Sequence, residues 1–410
     1  MKILYIAGRW PWPIEVGRQR MIDQSLRTAA ELGEVHLLAF AEPKQSTETV
    51  PGHVKLAGVL PMSRTIEVAA NLIASPMSPL QNHLFNSASA RRELDRSLEA
   101  INPDVVIIDM LRLSPLAARI RRRFPKIRLV LDMDDLLSVR YARMLRSKRR
   151  GDIGGTFQKK LPKPVRAIAQ SLPSLLLRYE RSAITRLEKK ALHLFDAILL
   201  VSPTEAEVFG RRRPGSLVAG FPPLMEKRPA SVRDHGGSLR FVFIGNAGYA
   251  PNAEALEVLD RAAAALKQRV AASSIPFRFE AAGVSNPDLN LPNIVQLGFV
   301  DDLGAFLSGD AVLVAPILTG TGIKTKIIDA LEYATPIVTT DTGAEGLPFV
   351  PGQHFIRVEG EVDLVDALEK LVTDASARAD LAAMGRNALD ATYESASHAK
   401  LLATMKAALG

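Results

Sequence analysis

"VAPILTGTGIKTKIIDALEYATPIVTTDTGAEGL", residues 314–347, is the stretch whose pattern decides the fold. An apolar strand ends at Pro316. A turn with Gly320 and Gly322 follows, then a helical run from Ile323, a second strand from Pro336 and a second glycine turn. Strand, turn, helix and strand in that order make one unit of a parallel sheet. Lys324 and Lys326 stand at the head of the helix, and Asp329 lies one turn further on. Lysine is disfavoured at a helix start, where the dipole is positive, unless an anion compensates. Glycines let backbone approach a ligand closely, and free amides at a helix head hold phosphate. Gly320, Thr321, Gly322, Ile323, Lys324 and Lys326 therefore read as a phosphate cradle, with Asp329 placed to accept from a diol such as ribose. The plainer alternative is a surface ion pair between Lys326 and Asp329, worth about 0.2–0.5 kcal/mol.

The same alternation runs along the rest of the chain. Apolar runs at Ile3–Ala7, Val35–Phe40, Val105–Asp109, Arg128–Asp132 and Ala197–Val201 form one series. Leu239–Gly245, Phe277–Gly283, Ile294–Gly298, Ala311–Pro316 and Pro336–Thr340 form a second. Near-continuous apolar strands separated by helical patterns indicate parallel sheets covered on both faces. The break between the series carries "RRRPGS", "FPPLMEKRP" and "RDHGGS", which is linker chemistry. The expectation is an α/β chain of two doubly wound domains facing across a cleft. The first spans 1–213, with a basic insertion at about 136–178, and the second spans 214–390. A helix at 391–410 is expected to cross back to the first domain.

Length and composition agree with that plan. The chain has 410 residues, of which 47% are hydrophobic and 23% charged, as in ordinary globular proteins. It has no cysteine, so disulfides, thiolate metal sites and cysteine nucleophiles are excluded. "MKILYIAG" is too short for the apolar core of a signal peptide, and no run of about 18 apolar residues occurs. These features point to a cytoplasmic chain, peripheral on the inner face of a membrane. The net charge of +8 divides into +15 over residues 1–213 and −7 over 214–410. A basic half suggests an anionic partner. The segment 136–178 mixes basic residues with Leu, Ile and Phe, which fits either a solvated insertion or a membrane- or acceptor-facing surface. It has no regular stacking positions, which argues against nucleic acid.

The opening stretch resembles the C-terminal signature of family 4 glycosyltransferases with the GT-B fold, which pairs "K-x-K-x-x-E-A-M-A-x-G-x-P-V-V-x-T" with "G-A-E-G-L". The resemblance implies that Asp329 binds the ribose of a nucleotide-sugar, while Lys324, Lys326 and the amides of Gly322 and Ile323 hold the diphosphate. Two departures are visible: Asp329 stands where Glu is usual, and Thr321 stands where the family's earlier acid would fall. Further segments resemble the same family. "FVFIGNAGYAPNAEAL" (241–256) places Gly245 at a strand end and Asn252 at a helix start, either as a ligand contact or as a plain N-cap. "LGFVDDL" (297–303) resembles the strand end that reads the base, at Gly298 and Val300. "ILYIAGRWPWPIEVGRQRM" (3–21) resembles the glycine loop over the donor, with Gly17 and with Arg18 or Arg20 toward phosphate or acceptor.

Two acidic strand ends complete the candidate site. "LDMDDLLSVRY" (131–141) offers Asp132, Asp134 and Asp135, which an Asp-x-Asp metal reading would use. It also resembles the acceptor side of GT-B enzymes, with Asp132, Asp135, Ser138 and Arg140 as candidates, or a simple capped helix start with an Asp135–Arg140 pair. Asp109 and Arg112 sit at another strand end. Asp132, Asp135, Arg140 and Asp109 are therefore the expected catalytic residues. The seven histidines show no metal-ligand spacing.

The implied activity is retaining, metal-independent transfer of a sugar from a UDP- or GDP-linked donor to a glycan or lipid-linked acceptor hydroxyl, with no separate cofactor. A nucleotide-sugar epimerase and a non-catalytic binding module on the same plan remain the alternatives. Sugar interconversion without acceptor would mark the first, and donor affinity without turnover the second.

Overall fold

The computed structural model describes residues 1–14, 16–41, 50–146, 172–225, 238–271, 275–320, 322–347, 349–393 and 397–410. They form two compact units. One is Met1–Leu224 with His398–Gly410, and the other is Met225–Ser397.

The first unit is built on seven parallel strands: β1 (Lys2–Ala7), β2 (Glu34–Phe40), β3 (Val54–Leu60), β4 (Val105–Asp109), β5 (Arg128–Asp134), β6 (Ala197–Leu200) and β7 (Leu217–Gly220). Their order in the sheet is β3-β2-β1-β4-β5-β6-β7. The helices around it are α1 (Gly17–Ala30), α2 (Thr65–Ala74), α3 (Leu80–Leu84), α4 (Ala88–Ile101), α5 (Ser114–Arg123), α6 (Leu137–Arg146), α7 (Pro173–Leu194) and α8 (Pro203–Gly210). β4 is buried along its whole length, as a central parallel strand must be when helices cover both faces. Leu4, Ile6, Val106, Ile108, Leu129 and Leu131 carry the core under α3–α5 and α7.

The second unit has six parallel strands: β8 (Leu239–Ile244), β9 (Phe277–Ala282), β10 (Val295–Gly298), β11 (Ala311–Ala315), β12 (Ile337–Thr339) and β13 (Ile356–Arg357). Their order is β10-β9-β8-β11-β12-β13. Its helices are α9 (Ala250–Arg269), α10 (Leu303–Leu307), α11 (Thr325–Glu332), α12 (Glu361–Thr373) and α13 (Ala375–Tyr393). A last helix, α14 (His398–Leu409), belongs to the first unit and packs on α1 and the β5–β7 edge. There the Arg128 side chain donates to the Ala408 carbonyl at 2.8 Å, and His398 lies 3.0 Å from Glu31.

The two sheets are doubly wound, as the apolar runs required. The sequence reading missed β3, β7 and β13. All three are edge strands, and their half-exposed residues lack the unbroken apolar run that marks the central strands. The first unit consequently runs past residue 213: Leu217–Gly220 pairs with β6 and closes the sheet edge. Winding reverses between β1 and β4 in one unit and between β8 and β11 in the other. At such a switch point, ligands sit beyond the carboxyl ends of the strands. Among the described residues, no helix is long and apolar enough to cross a membrane. Most of the basic insertion, residues 147–171, lies outside the described residues.

Candidate nucleotide-binding site and carboxylate cluster

In the second unit the switch point is formed by glycines and one lysine. β8 runs out into Gly245, whose amide donates to the Ala282 carbonyl at 2.9 Å. The next strand, β9, runs into Gly283, and the amide of Gly283 donates to the Gly298 carbonyl at 2.8 Å. A Cβ on Gly283 would lie 2.4 Å from the Gly245 carbonyl oxygen, and its φ is +119°. Three neighbouring strands thus end in glycines that interlock by backbone, and Gly298 (φ +73°) faces open space. Gly283 escaped the sequence reading, although "EAAG" at a strand end was the available signal. Gly283→Ala should cost about 2–3 kcal/mol in chemical denaturation, from strain and overlap with backbone that has no room to yield.

Lys326 lies over this glycine floor. Its Nζ donates to Asn252 Oδ1 at 2.9 Å, stands 4.0 Å from the centre of the Phe243 ring and would be 3.0 Å from a Cβ on Gly245. Asn252 Nδ2 in turn donates to the Asn246 carbonyl at 2.9 Å. Asn252 is therefore neither the N-cap of α9, a position held by Tyr249, nor a loose surface amide. It links the first helix of the unit to the lysine. Burial, then the nearby Lys324, lowers the Lys326 ammonium to a pKa of about 7, with Asp329 pulling the other way.

The lysine turn differs in detail from the sequence reading. α11 starts at Thr325 with Lys324 as its N-cap, so Gly322 and Ile323 belong to the turn and the leading helix amides are those of Thr325 and Lys326. The glycines at 320 and 322 disfavour helix there, so the helix begins only after them. Lys324 folds back, its Nζ donating to the Gly322 carbonyl at 2.7 Å with the Glu345 carboxylate 3.7 Å away. Gly320 and Gly322 have φ of +130° and +72°, which explains why glycine stands at both places. Asp329 is buried on α11, one turn past Lys326. Thr321 lies outside the described residues. Val300 packs against the core of this unit.

On the far side of the turn, Thr339 Oγ1 donates to the Ala315 carbonyl at 2.6 Å. Thr340 Oγ1 bonds the Ile317 carbonyl and also accepts from the Gly343 amide at 3.0 Å. These bonds clamp the end of β12 to the end of β11 and hold the "TTDTGAEG" turn beside the lysines.

In the first unit the switch point is a buried charge cluster. The Arg18 guanidinium donates from Nε to Asp109 Oδ1 at 2.9 Å and from Nη2 to Asp132 Oδ1 at 2.9 Å. It also reaches Asp134 at 3.5 Å. The second oxygen of Asp109 accepts from the Gly8 amide at 2.7 Å. The second oxygen of Asp132 accepts from Tyr5 and Ser25, both at 2.8 Å. All donors of Arg18 face inward, and its side chain is 6% exposed.

This placement corrects several expectations. Arg18, expected toward phosphate or acceptor, is held between two carboxylates of its own unit. Asp109 and Asp132, expected to be catalytic, have all four carboxylate oxygens hydrogen-bonded inside the fold and tie the strand ends together. Asp135 and Arg140 form the helix-start pair, at 2.6 Å, ahead of α6. Ser138 donates through its amide and hydroxyl to buried Glu188. Gly17 is the first residue of α1 and is exposed, one position ahead of Arg18.

The carboxylate that the sequence reading did not select is Asp134. It is the last residue of β5, after a register shift, with φ +71°. A bulge and a left-handed residue turn its side chain out of the strand. Its side chain is 23% exposed, against 0% for Asp109 and 5% for Asp132. Burial pushes its pKa up, Arg18 pulls it down, and Asp135 adds a further push upward. Arg112 stacks over Phe85, and burial together with neighbouring Arg9 brings its pKa down to about 10.

Residues 238–374 match the family model described as glycosyl transferases group 1. Over 79 residues the chain is 29% identical to an uncharacterized 44.6 kDa protein in the cps region of Klebsiella pneumoniae, a match spanning 20% of that protein. Among solved structures, sucrose-phosphate synthase from Thermosynechococcus elongatus superimposes with a TM-score of 0.68 at 13% identity, covering 99% of this chain and 98% of the other. A TarM variant from S. aureus, solved with fondaparinux, α-GlcNAc-glycerol and UDP, gives 0.66 at 8% identity, covering 100% and 99%. The fold of the chain is the GT-B fold of these structures, and its second unit is similar to the glycosyl transferases group 1 family over residues 238–374.

Proposed function

We propose that this protein is a family 4-type, retaining glycosyltransferase. It moves a sugar from a UDP- or GDP-linked donor to the hydroxyl of a glycan or lipid-linked acceptor in polysaccharide assembly, without a metal ion. The single observation that carries the reading is the Lys326 ammonium, poised above a glycine floor by Asn252 and Phe243 at the switch point of a group 1 domain. UDP in the TarM structure and the cps-region relative support the donor class and the polysaccharide context.

The chemistry follows from charge. As the sugar–phosphate bond breaks, negative charge grows on the leaving diphosphate. Lys326, Lys324 and the leading amides of α11 are already oriented, so they stabilise that charge without reorganising. Their placement on a rigid helix start and strand ends favours the transition state over the ground state. Asp329 accepts the ribose hydroxyls, and the Gly298 backbone meets the base. Held this way, the diphosphate needs no metal to neutralise it.

A thermal-shift screen with UDP-, GDP- and ADP-sugars tests the reading directly. One nucleotide series should raise the melting temperature. Asp329→Ala should fold normally and lose most of that shift, with donor affinity falling about 10- to 100-fold, as expected for two lost hydrogen bonds to hydroxyls. A variant that keeps the full shift would remove Asp329 from the ribose role. No shift with any nucleotide-sugar would remove the donor class.

A further inference from the structure

α2 carries the most exposed large apolar side chains among the described residues. Ile66 is 77% exposed and Ile73 82%, seven positions apart and so on one face of the helix. The face continues past the helix end to Met77 at 60%. It also continues across a contact. The Tyr179 hydroxyl on α7 donates to the carbonyls of Pro76 and Ser78, and buried Glu180 accepts from the Leu80 amide at 2.9 Å. Those bonds fix the first turns of α7 beside the residues that follow α2. There Leu172 and Leu175 are 54% and 60% exposed. Five large apolar side chains left in water on these two adjoining segments mark an interaction surface.

Arginine predominates among the exposed charges of these two segments. Arg64 precedes α2, and Arg178, Arg181 and Arg186 lie along α7; all four are exposed. Of the acidic residues in the same two segments, Glu180 and Glu188 are buried, and the half-exposed Glu67 is engaged by backbone amides. Those amides are Arg64 and Ala88. An apolar helix face ringed by arginines complements a bilayer with anionic headgroups: the apolar groups enter the headgroup boundary while the arginines meet phosphate. The charge of +15 over residues 1–213 adds long-range attraction of the same sign.

We infer that the outer face of α2, with Met77 and the first turn of α7, docks this protein on an anionic phospholipid surface. The inference rests on the reading of a lipid-linked acceptor, and it supplies the surface through which such an acceptor would be met.

The test is co-sedimentation of the full chain with vesicles of phosphatidylcholine alone and of phosphatidylcholine mixed with phosphatidylglycerol. The expected result is binding to the mixed vesicles, weakened by salt, with little binding to the neutral ones. The double variant Ile66→Ser with Ile73→Ser alters only exposed side chains. It should bind mixed vesicles at least about tenfold more weakly, while its melting temperature and its response to nucleotide-sugars stay those of the parent. Arg178→Glu with Arg181→Glu should lose binding and most of the salt dependence. Three outcomes overturn the inference: no vesicle binding by the parent, equal binding by the parent and the isoleucine variant, or an Ile66- and Ile73-dependent dimer without vesicle binding. The nucleotide-sugar response of the same preparations keeps the two readings apart. Its loss from the parent would overturn glycosyl transfer, whereas vesicle binding alone judges the docking surface.

Discussion

Lys326→Met should lower kcat/KM for nucleotide-sugar by about 10²- to 10³-fold, the effect expected for removing a preorganised charge from a developing anion. Phe243, Asn252 and Gly245 all converge on its Nζ, so the methionine side chain keeps the packing and loses only the charge and the hydrogen bond. The same substitution should change a pH profile. With a pKa of about 7, Lys326 of the free protein gives up its proton as pH rises through neutrality. A bound diphosphate favours the ammonium form. Donor binding should therefore take up a proton above pH 7, and affinity should fall as pH rises from 7 to 9. The methionine variant should show a flat profile over that range, and calorimetry in two buffers of different ionisation heat would detect the missing proton.

The stability linkage has the opposite appearance. The folded pKa of Lys326 is lowered from the usual 10.5 to about 7, so between those values the unfolded chain holds a proton that the folded chain has released. The contribution of this group to stability rises with pH across that window, and the cost of burying the ammonium is fully present below pH 7. Lys326→Met removes that cost, so at pH 6 the variant should be at least as stable as the parent. A site that lowers stability in exchange for a poised charge is expected where binding, not folding, sets the residue.

The second large effect belongs to the first unit. Arg18→Met should destabilise the fold by about 3–5 kcal/mol, because it leaves the Asp109 and Asp132 carboxylates buried against each other with no cation between them. For a unit of this size the melting temperature should drop by roughly 10 °C. Arg18→Lys should recover only part of the loss. A single ammonium cannot reproduce the fork that reaches Asp109, Asp132 and the Asp132 carbonyl together. Full stability of the methionine variant in urea denaturation would show that the cluster is not what holds the ends of β1, β4 and β5 together.

Both effects sit at switch points, and the switch points were legible before any coordinate. Glycine at the end of an apolar run followed by a helical pattern marks such a place, which is how the turn at 320–322 stood out, while Gly245 and Gly298 came from the family resemblance of their segments. The N-terminal residues were harder to assign from sequence. Arg18, Asp109 and Asp132 looked like a polar site because charged residues at strand ends usually face a ligand. Asp109 and Asp132 come from adjacent strands 23 positions apart, and Arg18 sits on the helix after β1. Nothing in the linear order shows that one guanidinium satisfies both carboxylates. Asp134 shows the reverse case. Three acids in four positions look equivalent in a sequence, yet a register shift and a left-handed φ turn only that one toward solvent.

Local pattern alone determined the two series of buried parallel strands, the break between them and the glycine turn that leads into the lysine-headed helix. Each of these depends on neighbours within a dozen residues: apolar runs, glycine conformations and the partial charge at a helix start. Tertiary structure decided which charges are spent inside the fold and which stay available. Lys326 depends on Asn252, 74 positions away, and Arg18 on Asp132, 114 positions away. Burial and ion pairing are properties of a three-dimensional neighbourhood. A charged residue reads the same in sequence whether its partner is a ligand, a membrane or another part of its own chain.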